Sequence, residues 1–157
     1  MTPESAPESR VQIRRTFHAP AARVYAAWTE HQQLEHWMCR DAASHTIRYV
    51  EFKAAVGGGF VLHISTPEGD VYLQHAEFLE MAPQQRLVFK WFWEKIEAGG
   101  VKSAMRSGDT KVTVEFFDHG EETEVVLTHE GFTDEAERRE TDQGWSGCFD
   151  VLARWLA

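Results

Sequence analysis

The sequence has little of several features that would place a protein in a functional class at once. It contains only two cysteines, Cys39 and Cys148, each among apolar residues, which argues against a disulfide framework and predicts reduced, buried thiols. No apolar run approaches the roughly 18 residues that a membrane helix requires, so no membrane insertion is expected. The 16 basic residues are outnumbered by 25 acidic ones, and the net charge of −9 predicts no nucleic-acid partner.

Motifs for nucleotides and metals are missing as well. Val56-Gly-Gly-Gly59 precedes a predicted strand and not a helix, so we interpret it as a bend that curves a sheet rather than as a phosphate loop. The sequence also lacks a dinucleotide glycine fingerprint, a nucleophile elbow and a zinc spacing of cysteine and histidine. We therefore predict no cofactor and no metal.

The first ten residues, MTPESAPESR, are polar and lack the basic start and apolar segment of a secretion signal. We expect residues 1–10 to be a disordered tail and residues 11–157 to form one domain, since a chain of 157 residues can bury a single core. A cytoplasmic location is the corresponding expectation.

Apolar periodicity predicts the order of the secondary structure elements. Residues 11–17 alternate like a half-buried strand, and two short helices follow, the first opened by Pro20. Residues 46–130 contain six predicted antiparallel strands, with residues 97–108 as a Gly/Ser-rich connection. A final helix begins after an N-cap at Thr133. The prediction is an α+β fold of about seven strands, ordered β-α-α-β6-α.

The final helix carries one apolar stripe, interrupted by two glycines. The stripe consists of Trp145, Cys148, Phe149, Leu152, Trp155 and Leu156. Gly144 and Gly147 each cost about 1 kcal/mol relative to alanine in a helix interior, so something must offset them. We favour close packing of the helix on its sheet; the alternative is that the missing side chains leave space for a ligand.

An aromatic strand stands out in the middle of the chain. Because side chains alternate along a strand, Phe89, Trp91 and Trp93 share one face and Phe92 lies on the other. Such a surface either fills a core or lines a cavity for an apolar ligand.

Several motifs in this order resemble one known family. They are residues 17–24 (FHAPAARV) with Trp28 and Trp37, residues 56–60 (VGGGF), Met81-Ala-Pro83 with residues 87–91 (LVFKW), and residues 144–149 (GWSGCF) with Leu152. The sequence resembles homologues of the activator of the heat-shock protein 90 ATPase, within the START/birch-pollen-allergen-like (SRPBCC) helix-grip superfamily. The resemblance implies a curved antiparallel sheet wrapped around the last helix, with a cavity between them. Relatives include lipid and hormone carriers, polyketide cyclases and the co-chaperone domain.

The predicted ligand-binding residues are those expected to face this cavity from the sheet and the helices. They are Trp37, Phe60, Leu62, Leu73, Phe89, Trp91, Trp93, Trp145, Phe149 and Leu152. The alternative for each one is a solidly packed core position.

Polar candidates are fewer. His63 falls out of phase with Phe60 and Leu62, so it is predicted to lie on the outer face. His75 and Glu77 share parity with Leu73, which predicts that both face inward as the one acid/base pair that catalysis could use. The alternative is that a bulge or twist exposes Glu77.

Three functions are compatible with these patterns. The first is a carrier or sensor that binds a small hydrophobic or aromatic molecule in the cavity. The second is a cyclase- or hydrolase-type enzyme that uses His75 and Glu77. The third is a protein-interaction module, including contact with a chaperone, and a homodimer is compatible with each of them. We favour the first because it needs only what the fold supplies.

Overall fold

The computed structural model describes residues 9–38, 46–97 and 102–157, and its elements form an α+β helix-grip fold. The helices are α1 (Ala21–Thr29), α2 (His31–Trp37) and α3 (Glu135–Leu156). The strands are β1 (Arg10–Phe17), β2 (Thr46–Lys53), β3 (Gly59–Ser65), β4 (Val71–Ala82), β5 (Arg86–Ile96), β6 (Lys102–Arg106), β7 (Thr110–His119) and β8 (Glu122–Glu130). The strands form one antiparallel sheet in the order β1-β8-β7-β5-β4-β3-β2, with β6 paired to β5. The predicted fold class is confirmed.

Strand β6 corrects the prediction that residues 97–108 are only a connection. It pairs with the end of β5, where Glu94 is opposite Arg106 and Ile96 is opposite Lys102. Its sequence, KSAMR, has no alternation of apolar and polar residues, so no periodic signal marked it. Strand β1 begins at Arg10, inside the predicted tail, while residues 1–8 and Cys39 lie outside the described residues.

Helix α3 begins one residue later than predicted. Asp134 and not Thr133 is the N-cap, and its Oδ1 accepts a hydrogen bond from the backbone N–H of Ala136 at 2.9 Å. An aspartate at this position satisfies a free N–H group and also places negative charge at the positive end of the helix dipole.

The second half of α3 is attached to the rest of the fold by several contacts. Asp150 accepts a hydrogen bond from Arg15 of β1 at 2.7 Å, and the rings of Phe149 and Phe17 meet edge to face at 5.5 Å. Trp155, predicted to belong to the apolar stripe, is partly exposed and stacks on His36 of α2 at 4.3 Å. These contacts fix the helix across the concave face of the sheet.

Trp28 lies at the centre of the core. Its ring, 1% exposed, contacts Trp37 of α2, Phe89 of β5, and Trp145 and Phe149 of α3 at centroid distances between 4.6 and 6.2 Å. Aromatic pairs at such distances and tilts contribute about 0.5–1.5 kcal/mol each beyond burial of their area. The middle of the space between the sheet and α3 is therefore filled by protein.

The triple glycine connects β2 to β3, consistent with its interpretation as a bend. Gly59 has φ +154° and approaches β4 so closely that a Cβ atom would overlap the carbonyl oxygen of Ala76. Phe78 exchanges hydrogen bonds with Gly57 and Gly58, both at 2.9 Å. The backbone of the bend thus packs directly on the next strand, which only glycine permits.

In strand β4 the side chains that face the core switch from even-numbered to odd-numbered residues along the strand. Between Phe78 and Glu80 the pairing with β5 shifts by one residue, which leaves Leu79 in a bulge, 47% exposed. Before the bulge Ala76 and Phe78 are buried, and after it Met81 packs against the core. The extra residue reverses the alternation of inward and outward side chains: even-numbered residues face the core before the bulge, whereas Met81 faces it afterwards.

Candidate ligand-binding pocket

One end of the space between the sheet and α3 remains open. A pocket of about 160 Å³ lies between the far end of β5, the end of β8 and the first half of α3. Apolar cavities of about 150 Å³ are large enough to hold benzene. Its lining residues are Gln74, Trp91, Trp93, Ser107, Thr110, His129, Phe132, Glu137, Thr141, Gly144, Trp145 and Cys148.

Three tryptophans dominate the wall. Trp91 and Trp93 follow each other on the concave face of β5, and Trp145 faces them from α3, with the rings of Trp91 and Trp145 5.1 Å apart. Phe132, in the segment between β8 and α3, adds a fourth ring 4.6 Å from the His129 imidazole. The surface of the pocket is therefore mostly apolar, although six of its twelve lining residues are polar, a combination typical of small-molecule sites.

His129 connects the three strands behind the pocket to α3. Its Nδ1 accepts a hydrogen bond from Trp145 Nε1 at 3.0 Å, and its Nε2 lies 2.6 Å from Thr110 Oγ1. The Thr110 hydroxyl in turn donates to the backbone oxygen of Trp91 at 2.9 Å. Because an indole nitrogen can only donate, Nδ1 must be unprotonated, and Nε2 carries the hydrogen and donates it to Thr110.

This arrangement fixes the charge of the imidazole. His129 is 1% exposed, and burial lowers the pKa of its ring to about 3, since the charged form would lose its hydration. A proton on Nδ1 would also point at the Trp145 N–H. His129 is thus a neutral structural group at neutral pH, with both ring nitrogens already in hydrogen bonds.

Two other polar side chains in the lining can still form a hydrogen bond with a ligand. Gln74, 8% exposed, donates its amide N–H to the backbone oxygen of Phe92 at 2.9 Å, and its amide oxygen has no partner among the described residues. Ser107 Oγ accepts from the backbone N–H of Trp93 at 2.8 Å, which leaves its hydroxyl hydrogen available.

Glu137 is the one carboxylate among the described lining residues. It lies in the first turn of α3, and its carboxylate forms no hydrogen bond or ion pair within the described part of the chain. Burial and the negative charges of Asp134 and Glu140 raise the pKa of the Glu137 carboxyl. Among the described lining residues there is no lysine or arginine to balance it.

The predicted acid/base pair is wrong in orientation. His75 lies on the convex face, where its ring stacks on Phe92 at 4.3 Å and its Nε2 is 2.8 Å from Glu94 Oε1. Glu77, on the same face, lies 3.5 Å from Lys90 Nζ. The prediction took its phase from the apolar Leu73, but before the bulge at Leu79 the residues that face the core are the alternate ones, such as Ala76 and Phe78.

Leu73, predicted to line the cavity, is itself on the convex face, and its apolar side chain is what gave the wrong phase for His75 and Glu77. It shares the parity of His75 and is paired with His63 of β3 and Glu94 of β5. His63 was expected on this outer face, and there its Nε2 lies 3.0 Å from Glu51 Oε2. Phe92 is also on the convex side, as predicted, between the ring of His75 and the guanidinium of Arg106, which lies 4.1 Å from its centroid.

The other predicted lining residues divide between the pocket and the core. The structure brings Trp91, Trp93 and Trp145 together around the pocket. Six are buried in the packed core, at 2% exposure or less, and are not part of the pocket wall: Trp37, Phe60, Leu62, Phe89, Phe149 and Leu152. The aromatic face of β5 thus fills the core at Phe89 and lines the pocket from Trp91 onwards.

None of the polar lining residues was among the predicted site residues. His129 shares parity with Val125 and Leu127 on β8, so the alternation of that strand could have identified it as an inward residue. Ser107 and Thr110 flank the segment between β6 and β7, where no periodicity applies. Gly144 lines the pocket, which corresponds to the ligand-space alternative for this glycine, whereas Gly147 is not in its lining.

The described residues contain no group of three or more His, Cys, Asp or Glu side chains able to hold a metal ion. Within the same residues no helix combines the length and apolarity that crossing a membrane requires.

Comparisons with known proteins identify relatives of this architecture. The Mll3558 protein from Rhizobium loti is 26% identical, with a TM-score of 0.73 over 93% of this chain and 95% of its own. CV1439 from Chromobacterium violaceum is 21% identical, with a TM-score of 0.76 over 94% and 96%. CalU16 from Micromonospora echinospora is 22% identical, with a TM-score of 0.67 over 98% and 82%; these last two likenesses show the fold alone.

Among proteins with curated descriptions, none matches the chain. A family model described as Activator of Hsp90 ATPase homolog 1-like protein matches residues 18–157, which is most of the sequence and includes every residue of the pocket. The chain therefore belongs to the family of Activator of Hsp90 ATPase homolog 1-like proteins.

Proposed function

We propose that the protein binds a small hydrophobic or aromatic molecule in the pocket between β5, β8 and the first half of α3. One observation carries the proposal: a space of about 160 Å³, walled by three indole rings, remains beside a core that is otherwise filled. Side chains that stabilise the fold alone would pack against each other there, since protein interiors are close-packed.

Binding, rather than catalysis, is the better supported function. The residues suggested as acid and base, His75 and Glu77, lie on the opposite face of the sheet. The histidine at the pocket, His129, is held neutral with both nitrogens engaged, so it is poorly suited to transfer protons. The proposal includes a cytoplasmic location, which the low cysteine content of the sequence favours.

The experiment compares ligand binding by two variants that differ at neighbouring positions of β5. Trp93→Ala removes an indole from the pocket, whereas Phe92→Ala removes a ring from the convex face one residue away. Thermal shift and native mass spectrometry with fatty acids, flavonoids and polyketides identify a ligand of the unaltered protein.

We expect a 1:1 complex whose dissociation constant rises about fivefold or more in Trp93→Ala, because loss of an aromatic contact is worth about 1 kcal/mol. Phe92→Ala should bind like the unaltered protein. Equal loss in both variants, or no complex with any member of the three classes, would overturn the proposal.

A further inference from the structure

The charges around the pocket indicate which of the hydrophobic or aromatic molecules it can bind. We propose that the pocket takes an apolar or aromatic ligand that carries a cationic group, such as a protonated amine or a quaternary ammonium, with the cation placed between the indole rings and Glu137. This inference rests on the proposed function, since it specifies the occupant of the same pocket.

The first reason is the balance of charge in the wall. Glu137 contributes a negative charge, since its carboxylate has no partner among the described residues. His129 contributes no charge, because its hydrogen bonds keep it neutral. An anionic ligand would bring a second negative charge to a partly enclosed site with no basic side chain in its described lining. A cation would instead supply the partner that Glu137 lacks.

The second reason is the aromatic surface. Indole rings attract cations through the negative potential of their faces, and tryptophan does so more strongly than tyrosine or phenylalanine. Trp91, Trp93 and Trp145 form three parts of one wall, and the rings of Trp91 and Trp145 are tilted by 39° with centroids 5.1 Å apart. Groups of aromatic rings are what proteins use to bind quaternary ammonium ligands.

The third reason is the field around the entrance. Asp134 and Glu140 flank Glu137 on the same helix, close enough that their charges disfavour its ionisation. The chain as a whole carries a net charge of −9. Both raise the local concentration of cations at the pocket and lower that of anions. A bound cation would also offset the repulsion between these neighbours and the Glu137 carboxylate.

The test uses three probes of nearly equal size that differ in charge: benzylammonium, benzyl alcohol and benzoate. Each is titrated into the isotopically labelled protein at pH 7, and binding is followed through the indole N–H signals of Trp91, Trp93 and Trp145. We expect benzylammonium to bind about tenfold more tightly than benzyl alcohol, and benzoate to bind most weakly.

Two variants locate the effect. Glu137→Gln keeps the shape of the side chain and removes its charge, so it should bring benzylammonium to within about twofold of benzyl alcohol. Glu121→Gln is the matched control: it removes the same charge from an exposed position in the turn between β7 and β8, outside the lining, and should preserve the preference.

The outcomes separate the two proposals. Equal binding of benzyl alcohol and benzylammonium, or tighter binding of benzoate, overturns the cationic ligand and leaves the pocket as a site for apolar molecules. Equal loss in both variants also overturns the role given to Glu137, because net charge alone would then explain the preference. If none of the probes shifts the three indole signals, both the cationic ligand and the proposed function fail.

Discussion

Replacing His129 by glutamine should remove part of the pH dependence of folding. Burial lowers the pKa of His129 to about 3 in the folded protein, whereas an unfolded chain has the ordinary value of about 6.5. Between pH 3 and pH 6.5 His129 therefore binds a proton in the unfolded state but not in the folded state. The stability linked to this residue is therefore fully present above pH 6.5 and is lost as the pH falls towards 3.

The size of the effect follows from the two pKa values. For a group with these two pKa values, acidification from pH 7 to pH 5 lowers the free energy of unfolding by about 2 kcal/mol. This corresponds to about 1.4 kcal/mol for each pH unit below 6.5. Urea unfolding at both pH values, followed by tryptophan fluorescence, measures it in the unaltered protein and in His129→Gln. The variant should lose about 2 kcal/mol less than the unaltered protein over this interval.

His119→Gln is the matched control. His119 is exposed at the end of β7, so its replacement should leave the pH dependence of unfolding unchanged. The reasoning about His129 is refuted if His129→Gln and the unaltered protein lose equal stability on acidification. A ¹⁵N spectrum that places the imidazole hydrogen on Nδ1 would equally contradict the hydrogen bond from Trp145.

Three further substitutions test separate parts of the structure. Gly144→Ala should stabilise α3 by about 1 kcal/mol in thermal unfolding while weakening ligand binding; a loss of stability would instead favour the close-packing interpretation. Gly59→Ala should destabilise the protein by about 3 kcal/mol or more in urea, because the new methyl group overlaps the carbonyl of Ala76. Trp145→Phe leaves His129 Nδ1 without its donor, so the ring should titrate by NMR at a higher pH than in the unaltered protein.

The order of elements and the fold could be predicted because each element repeats its own period. The alternation of Phe89, Trp91 and Trp93 held because β5 is regular over this stretch and pairs with β4 on one side and with β7 or β6 on the other. The inward face of β4 was predicted wrongly because the apolar Leu73 lies on the convex face. The bulge at Leu79, which the local sequence does not mark, places Met81 on the core side after it.

The pocket itself could be predicted only in part. Its tryptophans belong to a regular strand and a regular helix, so the side of the element on which each one lies could be predicted from the sequence. Its position at one end of the core depends on which aromatic rings fill the middle, and that is decided by contacts of Trp28 across four elements. The pairing of His129 with Trp145 and Thr110 joins residues 16 and 19 positions apart and depends on the tertiary structure.

Helix α3 divides into two parts that differ in how they are held. The end of the helix is attached through Phe149, Asp150 and Trp155 to β1 and α2, whereas the part before it borders the pocket from Glu137 to Cys148. Local opening should therefore require less free energy in the part that borders the pocket, and its backbone amides should exchange hydrogen with solvent faster. A ligand that fills the pocket would slow exchange there and leave residues 149–156 unchanged, so exchange rates would report occupancy without any knowledge of the ligand.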